Sequence, residues 1–125
     1  MATNSGEAIE INLPAAADLS ALQYRFMLID SSGNVNKGTG NSTIAIGVLQ
    51  NKPSAAAQGA RVRTNGKSKL DIGGTVACGD RLTSDSNGKG VVTTTATHLV
   101  GAIALTSGVS GDRIEALLIP ASFGA

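Results

Sequence analysis

Apolar and polar residues alternate along this 125-residue chain in short bursts, each closed by Gly, Asn, Asp, Ser or Pro. The cleanest is Ile9-Glu10-Ile11-Asn12-Leu13, a period-two pattern that predicts a half-buried strand. Pro14 ends it, and Ala15-Ala16-Ala17-Asp18-Leu19-Ser20-Ala21 reads as a helical turn or an irregular linker. Residues 1–21 are therefore expected to form an N-terminal arm. Its strand could pair with an edge of its own domain or of a neighbour. Residues 22–125 are expected to form the main body. Strands are predicted there at 23–29, 43–49, 61–64, 68–72, 81–84, 91–95, 99–105 and 113–119, with turn clusters between them. Many short strands at close spacing predict an all-β fold: a small Gly-rich β-barrel or β-sandwich-like domain with an extended N-terminal arm.

Asn65-Gly66 lies between two alternating stretches and predicts a hairpin. A three-residue connection, Asn65-Gly66-Lys67, would pair Val62 with Leu70 and Ala60 with Ile72, putting the apolar side chains on one face. The other face would place Arg61 opposite Asp71 and Arg63 opposite Lys69. Arg61, Arg63 and Lys69 then form a modestly basic patch. The last two strands differ in kind, because Leu99–Leu105 and Ala116–Ile119 are apolar on both faces. Such strands need cover on both sides. Either the arm or a second copy of the chain is expected to supply it.

Composition narrows the function. The aromatic share is only 2% and Trp is absent, so base-stacking and sugar-stacking surfaces are not expected. A net charge of +1 provides no general attraction for nucleic acid or an anionic membrane. No apolar run approaches the roughly 20 residues of a membrane span. The start of the chain has neither the basic region nor the apolar core of a secretion signal, and a lone Cys78 fits a reducing compartment.

The stretch "VACGDRLTSDSNGKG" at 76–90 carries a thiol, two aspartates and a lysine. Aligned as a calcium loop, it lacks the first carboxylate and the closing glutamate. Gly66-Lys67-Ser68 ends like a phosphate loop, but its first glycine falls on Arg61. One Cys and one His cannot make a zinc site, and a Cys78–His98 dyad would lack an orienting carboxylate motif. The stretch reads as turn chemistry. No catalytic residue, metal ligand or cofactor is predicted.

Four pieces occur in a characteristic order. They are Ile46-Gly47-Val48-Leu49-Gln50-Asn51-Lys52-Pro53 (followed by Ala60-Arg61-Val62), then Ala77-Cys78-Gly79-Asp80-Arg81-Leu82-Thr83-Ser84-Asp85 with Gly88-Lys89, then Val100-Gly101-Ala102-Ile103-Ala104, and Gly111-Asp112-Arg113-Ile114-Glu115-Ala116-Leu117-Leu118. Together, over residues 22–119, they resemble the capsid decoration, or cement, proteins of tailed bacteriophages. The resemblance implies a barrel-like domain that assembles as a homo-oligomer, often a trimer. It would bind the major capsid protein on the outer surface of the head and stabilise the shell without catalysis or cofactor. On that reading Glu7, Ile9, Ile11, Leu13, Arg61, Arg63 and Lys69 are expected to contact capsid. Val100, Ala102, Ala104, Leu117 and Ile119 are expected at the subunit interface. A β-rich adhesive or carbohydrate-binding virion module is the alternative.

Overall fold

A computed structural model of the chain describes residues 8–42 and 44–123. Among these residues there are nine strands and no helix. The strands are β1 (Ile9–Pro14), β2 (Phe26–Ile29), β3 (Val35–Lys37), β4 (Gly47–Leu49), β5 (Gly59–Asp71), β6 (Arg81–Ser84), β7 (Gly90–Val92), β8 (Leu99–Ala104) and β9 (Arg113–Phe123). All strand pairs are antiparallel, in the order β3-β2-β4-β5-β9-β8-β6-β7, with β1 also paired to β5. The sheet curls into a half-barrel, as the Gly-rich all-β pattern predicts. Just beyond β5, Ile72 bridges Gly90 at the start of β7, and Gly73 N–H donates to Gly90 O at 3.0 Å.

The predicted hairpin at Asn65-Gly66-Lys67 does not form. β5 runs straight through it as one 13-residue strand. Val62 pairs with Leu49 and Ile11, and Leu70 pairs with Ile114. The reason lies in what each half buries. Ala60 and Val62 pack with Ala15, Leu19, Met27, Val35 and Leu49. Leu70 and Ile72 pack in a second cluster with Phe26, Val48, Leu82, Ala102 and Ile114. A hairpin would stack all four on one layer, whereas the extended strand reaches both cores. Gly66, at φ +93°, marks the passage from one set of partners to the other. That backbone region is costly for side-chain-bearing residues.

β2 and β4 lie between the two cores. Phe26 and Val48 point into one, and their neighbours Met27 and Leu49 into the other. Both strands are therefore short and continuously apolar where they cross, without alternation. Buried Gln50, just past β4, donates to Ser68 Oγ at 2.9 Å and to Val48 O at 3.1 Å, and accepts from Gln23 Nε2 at 2.8 Å. These bonds satisfy the polar groups where the two cores meet.

The segment after β1 is irregular, not helical. Ala15 and Leu19 are buried against the Met27 cluster, held by Ala15 N–H to Gln58 O and Leu19 N–H to Pro53 O. β3 was not foreseen, because a three-residue strand with one inward side chain, Val35, barely alternates. β9 outlasts its expected end at Ile119. Val100 pairs with Ser122 but Ala102 with Leu118, so the register slips where Pro120 sits. A bulge is where a strand accommodates proline.

Gly47 is the tightest point of the middle layer, since a side chain there would run into Arg63 O and Val62. Gly47→Ala is expected to lower stability by about 1–3 kcal/mol through overpacking. Gly74→Ala has open space around it and should be neutral. Urea midpoints of the two variants, at unchanged m-value, check the difference.

Candidate docking surface

β1 is a sheet edge: one side pairs with β5, and no described strand pairs with its other side. Its register sets what each face shows. Ile11 lies opposite Val62 and Leu13 opposite Ala60, so Ile11 and Leu13 face the core side of the sheet, while a register shift between Ile9 and Glu10 sets Ile9 opposite Asn65. The core runs out beneath them. Leu13 is half-buried, but Ile11 is 37% and Ile9 51% exposed. A short apolar strip therefore continues from the core into solvent along an unpaired edge. Such edges are templates for another chain.

The other face of β1 is ionic. Arg63 donates to Glu10 Oε2 from Nε at 2.9 Å and Nη2 at 2.6 Å, and Arg61 Nε lies 3.1 Å from Glu10 Oε1. The basic patch thus has a partner that the hairpin geometry had not supplied. Arg61 lies opposite Asn12, not Asp71, which instead pairs with Arg113. Lys69 lies opposite Glu115, not Arg63. Arg63 and Lys69 still share a shallow cleft of about 240 Å³ with Lys67, Ser68 and Glu115. Glu10 was missed as a member of this surface. Its signal was present, since a charged residue between Ile9 and Ile11 must occupy the opposite face of the strand.

Among the expected contact residues, Ile9 and Ile11 are both exposed on β1, on either side of the register shift, with Leu13 partly beneath the surface. Arg61 and Arg63 gather on the ionic face, and Lys69 lies farther along β5. Glu7 lies outside the described residues. Among the expected interface residues, Val100, Ala102 and Ala104 are buried within the chain's own fold. Leu117 is 40% exposed on the outer face, in register with Ile103 and Lys67. Ile119 is half-buried. The cover for β8 comes partly from within, because Gly101 lies against the Phe26 ring.

The residues weighed for chemistry have local partners. Cys78 is exposed, with Sγ 3.4 Å from Leu105 O, and His98 Nδ1 is 2.7 Å from Thr93 Oγ1. Asp85 Oδ1 accepts the N–H groups of Asn87 and Lys89, and Asp80 Oδ2 accepts that of Ala77. Both aspartates close turns. No group of three or more His, Cys, Asp or Glu able to hold a metal ion occurs among the described residues.

No protein-family model matches this sequence, and no curated protein does. Among solved structures, the N base of head fiber gp8.5 of bacteriophage phi29 is similar, with a TM-score of 0.68 over 90% of this chain and 94% of that one. The two are 15% identical, so the likeness is one of fold. The chain shares the fold of that domain.

Removing the anion of the β1–β5 cluster, as in Glu10→Gln, should cost about 0.2–1 kcal/mol, the range for exposed ion pairs. The loss should shrink in high salt and couple to Arg63→Gln in a double-mutant cycle of urea melts. On the same sheet, the hydrogen-bonded Lys67 ammonium holds the Glu115 carboxyl below its ordinary value. A lowered folded pKa gives stability that is present above the unfolded value and lost as pH falls through the folded one. NMR titration of Glu115 should show its midpoint rise in Lys67→Gln.

Proposed function

We propose that this chain is a structural protein of a tailed-phage virion, attached to the outside of the head, where it decorates and stabilises the shell. The fold likeness carries the reading, because it spans nearly the whole of both chains and its partner is the base of a head fiber. The four sequence pieces that resemble decoration proteins support it independently. The major capsid protein is the partner. The contact is the β1 edge, where Ile9 and Ile11 can be covered while Glu10, Arg61 and Arg63 rim the contact. β1 is already paired on one side, so it offers a partner its second edge as preformed strand, at little ordering cost.

A homotrimer fits the same reading. Several copies held together bind by avidity, so each contact can be modest. Of the residues expected at that interface, Leu117 and Ile119 on β9 are the ones not fully buried within the chain. A second reading is favoured by the head-fiber base: a platform that attaches to the head without stiffening it.

The test is to mix the purified protein with heads that lack it and image them. Density at symmetry-related positions on the outer surface is expected, with heads surviving to higher temperature if the protein cements. Bound protein without added heat resistance would favour the platform. Bare heads at every protein concentration would overturn both. Two half-exposed isoleucines are worth about 1.5–3 kcal/mol together. Replacing both, Ile9→Asp with Ile11→Asp, should therefore weaken head binding by about tenfold or more. The melting temperature of the free protein is the control for folding.

A further inference from the structure

A second charged feature lies on the other half of the fold, away from β1. The residue before β2, the end of β5, the Asp85 turn and the start of β9 enclose a cleft of about 210 Å³. It is lined by Arg25, Asp71, Ile72, Lys89, Gly111 and Arg113. Three of these are cations and one is an anion. Asp71 is largely buried, and both its oxygens are engaged: Arg113 Nε donates to Oδ1 at 2.7 Å, and Arg25 Nε lies 3.6 Å from Oδ2. The distance to Arg25 is too long for a hydrogen bond. Among the described residues, the buried Arg25 Nε has no hydrogen-bond acceptor, and Nη1 makes a long 3.4 Å bond to Asn87 O.

The other acids nearby do not balance the charge. Asp85 accepts backbone N–H groups of Asn87 and Lys89, and Asp112 accepts that of Val109. Neither forms an ion pair with the three cations, and the Lys89 ammonium has no ion-pair partner among the described residues. Arg113 is also fixed in place, with its guanidinium 4.6 Å from the Tyr24 ring centroid. The hydrogen bond to Asp71 raises its pKa further, so it stays charged. Two positive charges are left uncompensated in a concave site with unused N–H donors.

We infer that this cleft binds a small oxyanion, a carboxylate or a phosphate, between Arg25, Lys89 and Arg113. Arginine forks match the planar or tetrahedral oxygens of both groups, and lysine adds a point charge. The volume decides the size class. It falls below the roughly 300–1,000 Å³ of sites for drug-sized molecules. It suits the tip of an acidic side chain or a free ion. Filling it would also relieve the repulsion among the three cations. The inference does not rest on head attachment, because the free protein tests it.

The experiment follows backbone amides of the free protein by NMR during titration with glutarate, and separately with inorganic phosphate, at ionic strength held constant with chloride. Saturable shifts are expected at Ile72, Lys89 and Gly111. One charge-assisted hydrogen bond is worth about tenfold in affinity. Lys89→Gln should therefore weaken binding by about that factor, while Lys52→Gln, at an exposed lysine outside the cleft, leaves it unchanged. Saturation by glutarate alone would assign the cleft to an acidic side chain of a neighbouring protein. Saturation by phosphate alone would assign it to the free ion. Saturation by both would mark a site that reads oxyanions as a class. Absence of saturation with either anion, or binding undiminished in Lys89→Gln, would overturn the inference.

Discussion

The structure depends on one strand that serves two cores. β5 keeps a single period-two phase from Ala60 to Leu70, so every inward residue lies on an even position. Its partners change at Gly66, from β1 and β4 to β9. The same face therefore closes the Met27 cluster at one end and the Phe26 cluster at the other. Neither core is large, and aromatic residues are scarce, so each is built mainly from Val, Leu, Ile and Ala. Sharing β5 links the two, because residues of one strand belong to both clusters.

The same constraint explains which parts of the sequence were legible. Strands whose alternation or apolar run exceeded its turn signals, such as β6 and β8, stand close to where they were expected. The Asn65-Gly66 pair misled because the local chemistry of a turn and of a bend is the same. Both need a residue that accepts positive φ. What distinguishes them is whether the flanking residues bury against each other or against separate partners. That is decided by Met27, Phe26 and Ile114, dozens of residues away. The end of β9 was hidden for a related reason. Pro120 forbids a regular ladder, but a register slip needs no ladder bond at that point.

The candidate surface was legible as a set of residues and not as an electrostatic object. The odd positions of β5 do put Arg61, Arg63 and Lys69 on one outward face. Whether that face is basic depends on what lies beside it, and β1 delivers Glu10 to Arg61 and Arg63 while β9 delivers Glu115 to Lys67. A strand's own sequence specifies its charges; the sheet order specifies their neighbours. Asp71 shows the reverse case, since its antiparallel neighbour Arg113 and the preceding-loop Arg25 surround it with more positive charge than it can balance.

This distribution bears on how such a body could hold a partner. Its apolar strip is two isoleucines wide on an edge, too small to drive tight association alone, since stable interfaces bury about 800 Å² per partner. Charged rims on that strip are already internally paired, so they orient a partner more than they attract it. Affinity must then come from repetition of modest contacts or from a site whose charge is still unmatched. The cleft among Arg25, Lys89 and Arg113 has that property, and Tyr24 and Asp71 hold Arg113 in place before anything arrives. A preformed site loses little entropy on binding. An acidic group entering it would gain hydrogen bonds that the fold itself leaves unmade.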